Sequence, residues 1–309
     1  MSKKTLVSVV IRTLNEEKHL PELLEVIQNQ VSDIFDIETV IVDSGSTDKT
    51  LEIAKKFNAR ITYIKKEDFS FGRSLNVGCA FAKGDIFVFV SGHCIPTNQH
   101  WLHNLVLPLQ EQVCDYSYGR QQARDTTKFS EKQLFSKYFP AESQIPQEGF
   151  FCNNANSALT KTAWKKYSFD EYLTGCEDMD LAKKLVNDGR KIGYVAEASV
   201  FHIHDETWQQ VKTRYEREAL ALQKIMPEVH LSKLDVLMYF FAGVIKDLRV
   251  AISEASLFKN FLSILYFRWA QYTGAYIGNH HTRKLSKRVK DRYFYPRVTD
   301  MEIKDHYDD

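Results

Sequence analysis

Apolar residues recur along this chain with two different periods, and the change of period divides it. Leu6 to Ile11 is a β-branched run without alternation, the pattern of a strand buried on both faces. Leu20, Leu23, Leu24 and Ile27 then fall at i, i+3, i+4 and i+7, one stripe of an amphipathic helix, with Asn15 placed to cap it. Glu38 to Val42 reads as a second strand, closed by Asp43-Ser44-Gly45-Ser46, and a helix is predicted over 47–57. Arg60 to Ile64, Ser74 to Ala82 and Ile86 to Val90 continue as strand, helix and buried strand. Such alternation implies an α/β fold: a Rossmann-like, mostly parallel central sheet with helices on both faces. Ligands of these sheets bind at the carboxyl ends of strands, so the loops after Ile11, Val42 and Val90 are where chemistry is expected.

The middle, 115–167, is mixed and loop-rich. Beyond it Asp178 to Asp188 reads as a helix closed by Gly189, and Tyr194 to His202 as a strand. From Thr207 onward helical patterns dominate. A boundary near 205 divides the chain into a catalytic domain, 1–205, and a helical C-terminal region, 206–309.

Composition narrows the partners. The 309 residues carry 41 basic and 40 acidic side chains, a net charge of +1, and are 44% hydrophobic. A disordered or collagenous chain is excluded, and nucleic acid is not an expected partner. The neutrality is uneven. Six basic residues between Arg283 and Arg292 face one acid, Asp291, which leaves the remainder of the chain at about −4. Five scattered cysteines without CxxC spacing suit a reducing compartment, and the expected location is cytoplasmic. The N-terminal run is too short for a signal peptide. The apolar run Val236 to Ile245 falls well short of the ~20 residues that span a bilayer.

Two segments carry a family resemblance. Arg12-Thr13-Leu14-Asn15-Glu16-Glu17 follows the first strand, and Val40 to Thr50 holds the second strand with its loop Asp43-Ser44-Gly45-Ser46-Thr47-Asp48. Together they resemble the N-terminal signature of family 2 inverting nucleotide-sugar glycosyltransferases, which have the GT-A fold. Leu14 replaces that family's aromatic before Asn-Glu. The likeness runs through most of 5–205 and implies a GT-A domain in which Thr13, Glu16 and Asp43 line the nucleoside pocket. A strand-end carboxylate suits that task, because it accepts hydrogen bonds from a base imide or a ribose hydroxyl. Asn15 and Asp48 are read as capping and turn residues.

The resemblance extends to four further places. Phe69-Ser70-Phe71-Gly72-Arg73-Ser74-Leu75-Asn76 is similar to a donor-side segment, which implies that Arg73 pairs with the diphosphate and that Asn76 contacts the nucleotide or holds the loop. Ser91-Gly92-His93 stands where most members carry the metal-binding Asp-x-Asp, so an oxygen-only hard-cation site is lost. Either His93 ligates a metal, or Ser91 and His93 handle the diphosphate without one. Glu177-Asp178 resembles the family's Glu-Asp motif, whose Asp is the base. Leu181, Ala182 and Leu185 lie three, four and seven residues on, which puts Asp178 on the inward face of the first helical turn, with Glu177 beside it to raise its pKa. The plain alternative is that Asp178 only stabilises a helix N-terminus. His202 and His204 share a strand face, and His202 sits where many GT-A enzymes hold a metal or phosphate ligand. A cluster of His93, His202 and His204 suits a transition metal better than Mg²⁺; a hydrogen-bonding pair is the alternative. Asn153-Asn154-Ala155-Asn156 resembles the acceptor-side loop or is plain loop structure.

The implied activity is transfer of a sugar from a nucleotide sugar, UDP- or dTDP-linked first, to a hydroxyl of a saccharide or lipid-linked glycan of a capsule or O-antigen, with Mg²⁺ or Mn²⁺ dependence left open. The rival is a catalytically silent nucleotide-sugar binder or scaffold. Tyr239, Phe240, Phe241, Phe267, Trp269 and Tyr272, mixed with Lys246, Arg249 and Arg268, suit either an anionic membrane surface or a helical packing face. Oligomeric state is left open, a homo-oligomer included.

Overall fold

The computed structural model describes residues 4–282 and 285–295. Strands β1 (Thr5–Thr13), β2 (Phe35–Asp43), β3 (Arg60–Tyr63), β4 (Ile86–Ser91), β5 (Cys94–Pro96), β6 (Tyr116–Gln122), β7 (Asn156–Thr160) and β8 (Ile192–His202) form one eight-stranded sheet, ordered β3-β2-β1-β4-β7-β6-β8-β5. β1 pairs in parallel with β2 and β4, β2 with β3, and β6 with β8. β7 runs antiparallel between β4 and β6, and β5 antiparallel to β8. The parallel half is the Rossmann-like part that the apolar runs predict.

Alternation along β1 feeds two cores. Val7, Val9 and Ile11 join helices α1 (Leu20–Gln28), α2 (Thr50–Lys56) and α4 (Trp101–Gln110) through Leu20, Leu24, Ala54, Trp101 and Leu105. Val10, with Val40 and Val42 of β2, joins α3 (Phe71–Phe81), α6 (Lys161–Tyr167) and α7 (Glu177–Asn187) through Leu75, Cys79, Ala163, Leu181 and Leu185. Helices therefore cover both faces. All five cysteines are free thiols.

Local chemistry moves several boundaries. α3 starts at Phe71 because Ser70 Oγ accepts from the Arg73 N–H. α1 starts at Leu20 with a proline in its first turn. Asn15 does not cap it, which corrects the expectation. Asn15 sits at φ +54°, and its Oδ1 accepts from the Thr47 N–H, so it clamps the first loop to the second. Asp48 does act as a turn residue: its Oδ1 accepts from the Thr50 N–H and its Oδ2 from the Glu17 N–H.

The chain divides into two compact units. One comprises the residues described above within 1–127, 134–172 and 177–204; the other comprises 128–133, 173–176 and 205–309. The second unit is helical: α8 (Trp208–Ile225), α9 (Lys233–Ser253), α10 (Leu257–Asn279) and α11 (Lys287–Phe294), after α5 (Phe129–Tyr138), whose first residues belong to it. α10 lies against α8 at backbone distance. A Cβ on Gly274 would stand 2.3 Å from the Lys212 carbonyl oxygen, and one on Gly278 2.0 Å from that of Glu216. Arg268, in α10, is buried and bidentate on Asp247 of α9, with Nε and Nη2 each donating at 2.8 Å. Arg268 and the fully buried Phe267 are therefore core residues, not membrane-facing ones. Outward, Leu234, Met238, Phe241 and Ile245 of α9 and Leu262, Tyr266 and Trp269 of α10 are exposed at helical spacing. No helix of the described residues is long and apolar enough to cross a membrane. Arg283 and Lys284, part of the basic run, lie outside the described residues.

Candidate active site

The parallel strands end together, which fixes the first part of the site. Thr13 is paired with Asp43 and Arg12 with Ser91. Asp43 is almost wholly buried and its carboxylate is filled. Oδ2 accepts from the Gly45 and Ser46 N–H groups, both at 2.9 Å, and Oδ1 accepts from Thr13 Oγ1 at 3.0 Å and from Ser46 Oγ. Four bonds use the four lone-pair directions of a carboxylate. Asp43 and Thr13 thus organise the loop in this structure instead of offering free oxygens to a base.

Glu16 lies over the turn between β4 and β5. Gly92 makes room for it, since a Cβ there would stand 2.9 Å from Glu16 Cγ. Glu16 Oε1 is 3.2 Å from His93 Nδ1. The β5–β8 pairing sets Cys94 opposite His202, and the Ile203 N–H donates to the His93 carbonyl at 3.2 Å. His93 is thereby carried to the end of β8. Its ring stacks on His202 with centroids 5.3 Å apart; the rings of His202 and His204 are 4.0 Å apart, and Phe135 stacks on His202 from 5.8 Å. One ring nitrogen from each of His93, His202 and His204 lies within 4.8 Å of the others. The donor set is all nitrogen, so it fits a transition-metal cation and does not fit Mg²⁺, which prefers oxygen. Ser91, beside His93, is half-buried.

Asp178 stands in the first turn of α7 and is buried. Oδ2 accepts from the Asn154 N–H and Oδ1 from its neighbour Met179, both at 2.8 Å. Burial, joined by the Glu177 carboxylate, pushes the Asp178 carboxyl up to about 7; Arg12 and the two N–H groups pull the other way. Arg12 Nη1 reaches Glu177 Oε1 at 3.5 Å, and its guanidinium lies over the Phe71 ring. A carboxyl titrating near neutrality is matched to taking a proton from a hydroxyl at physiological pH.

Arg73 and Asn76 are turned to another task. Arg73 Nε donates to Glu171 Oε2 at 2.8 Å, and Nη1 donates to the Asp68 carbonyl at 3.2 Å. Asn76 Nδ2 donates to the Phe169 carbonyl and to Glu171 Oε1, while its Oδ1 accepts from Trp164 Nε1 and the Phe169 N–H. Four hydrogen bonds thus tie Asn76 to Trp164 and to the segment 169–171. Arg73 is paired with Glu171 there, not set among the histidines.

Four contributors escape the sequence reading: Arg12, Gln121, Tyr116 and Ser157. Arg12 carries a weak signal, a cation at the end of an apolar strand. Gln121, on the polar strand β6, carries none. Its Oε1 is 2.6 Å from His202 Nδ1, and its Nε2 donates to Asn153 Oδ1 at 2.9 Å. Tyr116 and Ser157 both donate to Asn154 Oδ1, and Asn154 Nδ2, buried, has no hydrogen-bond partner among the described residues.

A mostly parallel sheet with its loops gathered at the strand ends, and a buried carboxyl at a helix start, fit the GT-A fold. The chain belongs to glycosyl transferase family 2, whose family model matches residues 8–167, and it is a glycosyltransferase. It is 27% identical over 221 residues to the O-antigen chain rhamnosyltransferase RfbN of Salmonella typhimurium, covering 68% of this chain and 70% of that protein. It is 29% identical over 194 residues to the O-antigen chain rhamnosyltransferase WbaN of Salmonella anatum, covering 58% and 60%. Among solved structures, the mannosyltransferase PcManGT of Pyrobaculum calidifontis, in complex with GDP-Man and Mn²⁺, is similar in fold, with a TM-score of 0.61 at 15% identity over 96% of this chain and 89% of that one.

Proposed function

We propose that this chain is an inverting glycosyltransferase that moves a sugar from a nucleotide sugar to a hydroxyl of a saccharide or lipid-linked glycan during surface-polysaccharide synthesis. The observation that carries the reading is Asp178: buried, held by two N–H donors, and raised to about 7. As the acceptor oxygen attacks the anomeric carbon, Asp178 takes its proton. The bond from that carbon to the diphosphate breaks on the opposite face, and the electron pair leaves with the nucleoside diphosphate. Glu177 keeps Asp178 basic and Arg12 holds Glu177. Asn154 Nδ2 is a buried donor left for the acceptor or the sugar. Ser91 and the histidines face the diphosphate, and the loops at Thr13, Glu16 and Asp43 hold the nucleoside. Arg73 and Asn76 act here by shaping the donor-side loop.

The relatives that build O-antigen chains support a surface-glycan acceptor, and the GDP-Man complex supports a nucleotide-sugar donor. UDP- and dTDP-sugars are the donors of this reading. A silent binder is disfavoured, because it has no use for a carboxyl held near neutrality beside a second carboxylate. The exposed apolar stripes of α9 and α10 support peripheral contact with the cytoplasmic face of an anionic membrane. The test is nucleotide release from a panel of UDP-, dTDP-, GDP- and CMP-sugars with a crude glycolipid acceptor. Release that depends on acceptor and on Asp178 sustains the reading; donor binding without release in every pairing overturns it.

A further inference from the structure

The sheet-bearing unit holds six arginines, and five of them are paired. Arg12 pairs with Glu177, Arg60 with Glu38, Arg73 with Glu171, Arg124 with Glu22 and Arg190 with Asp115. The sixth, Arg120 of β6, is half-buried and has no carboxylate partner among the described residues, and its Nε is buried without a hydrogen bond. Carboxylates are not lacking: Glu142 and Glu148 precede β7 and Glu197 lies on β8, all exposed, but Glu197 Oε2 accepts from Ser143 Oγ instead. A guanidinium is always charged and carries five N–H donors, so withdrawing part of it from water without a partner costs free energy that a bound anion would offset.

Alternation along β6 says where Arg120 points. Tyr116, Tyr118 and Arg120 share one face of the strand, and Ser117, Gly119 and Gln121 the other. Tyr116 donates to Asn154 Oδ1 and the Asn154 N–H holds Asp178, so Arg120 is on the face of the proposed base, while its neighbour Gln121 turns to His202. The rings of Phe151 and Tyr194 lie 5.6 and 5.1 Å from that of Tyr118. Arg120 follows Tyr118 toward the carboxyl end of β6, and its charge is felt at the Tyr194 hydroxyl: burial pushes that phenol up and Arg120 pulls it back. The segment meeting Tyr194 is fixed. Tyr194 Oη donates to the Pro140 carbonyl at 2.6 Å, Gln144 and Tyr194 exchange backbone bonds of 2.8 and 2.9 Å, and Gln147 Nε2 donates to the Phe151 carbonyl at 2.7 Å. Little ordering is left for a ligand to impose.

We propose that Arg120 binds an oxyanion of the acceptor, a phosphate or carboxylate carried by the glycan or its lipid link. The planar fork matches either anion with two parallel bonds. That the anion arrives with the acceptor rests on the reading given under Proposed function, in which Asp178 stands on the acceptor's side and the donor diphosphate departs from the opposite face of the anomeric carbon. Arg120 takes no part in the chemical step; it sets which acceptors are held.

The kinetic test uses three acceptors: a phosphate-linked glycolipid extract, the oligosaccharide that mild acid releases from it without phosphate, and that oligosaccharide after reduction of its carboxyl groups. In Arg120→Gln the KM for the intact glycolipid should rise about 10–100-fold, with kcat and the donor KM little changed. Arg120→Lys, which keeps the charge and loses the fork, should fall between. Stripping the anion from the acceptor should cost the parent the same factor and the Gln variant nothing further. A gap closed by acid release assigns the phosphate, and one closed only by reduction assigns the carboxylate. Equal acceptor KM in the parent and folded Arg120→Gln, or a rise confined to the donor KM, overturns the proposal. Labelling with phenylglyoxal needs neither variant nor turnover. Arg120 should be modified, as read in its own peptide by mass spectrometry, and inorganic pyrophosphate or glucuronate should slow that modification; labelling that neither anion slows also overturns the proposal. Protection in a protein that releases no nucleotide from any donor keeps the anion site and sinks the transferase reading, and an unprotected Arg120 in an active transferase does the reverse.

Discussion

The backbone N–H of Asn154 donates to Asp178 Oδ2 at 2.8 Å. That bond joins the loop before β7 to the first turn of α7. It belongs to a longer chain of contacts, because the neighbouring Asn153 receives Gln121, and Gln121 receives His202. The proposed base and the histidine cluster are thus ordered by adjacent residues of one loop. A carboxylate held by two N–H groups cannot swing freely, so its unshared lone pairs keep a fixed direction.

Asp178→Asn tests the base without changing side-chain size. Turnover should fall by about 10²–10⁴, the usual contribution of a positioned general base. The donor-induced thermal shift should persist, since Asp178 has no part in holding the nucleoside. An Asn variant with near-normal turnover removes Asp178 from the chemistry.

The pH profile follows from the same group. The reactive form is the carboxylate, and burial with Glu177 raises its pKa to about 7. kcat/KM should therefore climb as pH rises through about 7 and level off above. Stability runs the opposite way. The fold favours protonated Asp178, so a contribution present below the ordinary aspartate value near 4 is lost as pH rises through about 7. Glu177→Gln should move the acidic limb to lower pH, and Arg12→Gln should move it higher, because the one removes a repelling carboxylate and the other a stabilising cation. Unchanged limbs in both variants would assign the titration to another group.

How legible this was in the sequence depended on the kind of signal. β1, β2 and β4 are runs of buried apolar residues and announce themselves; the mostly parallel sheet follows from them. β6 reads Tyr-Ser-Tyr-Gly-Arg-Gln-Gln and α4 carries Pro108 inside it, so neither shows its period. With β5 and β6 unseen, the sequence brings His93, His202 and His204 together only through the family likeness. Their juxtaposition depends on the three-residue β5–β8 pairing. Asp178 was readable because its helix has a clean apolar stripe. The pairing of Arg73 with Glu171 was not legible, because the two lie 98 residues apart in the chain.

Asp247 and Arg268 give a stability test within the helical unit. Both are buried, and their two parallel 2.8 Å bonds join α9 to α10. Asp247→Ala leaves a guanidinium without its counter-charge and should cost about 3–5 kcal/mol in denaturant unfolding. Asp247→Ala with Arg268→Met should recover most of that, since removing both charges avoids the orphaned one. A single variant as stable as the parent would show that the pair contributes little.

The outer stripes of α9 and α10 bear on where the enzyme works. Phe241 and Trp269 are each 58% exposed, on helices too short in apolar length to span a bilayer. Exposed Lys246 and Arg249 lie on the same helix as Phe241. Aromatic insertion together with basic residues predicts binding to vesicles containing phosphatidylglycerol and much weaker binding to pure phosphatidylcholine. Binding should fall with added salt as the charge contribution is screened. Phe241→Ser with Trp269→Ser removes two side chains whose burial is each worth about 1.5–3 kcal/mol, so vesicle affinity should drop at least about tenfold. Activity on a short soluble acceptor should be unchanged, because neither side chain belongs to the proposed chemistry. Equal co-sedimentation of the double variant and the parent would mean that another surface, or none, meets the lipid.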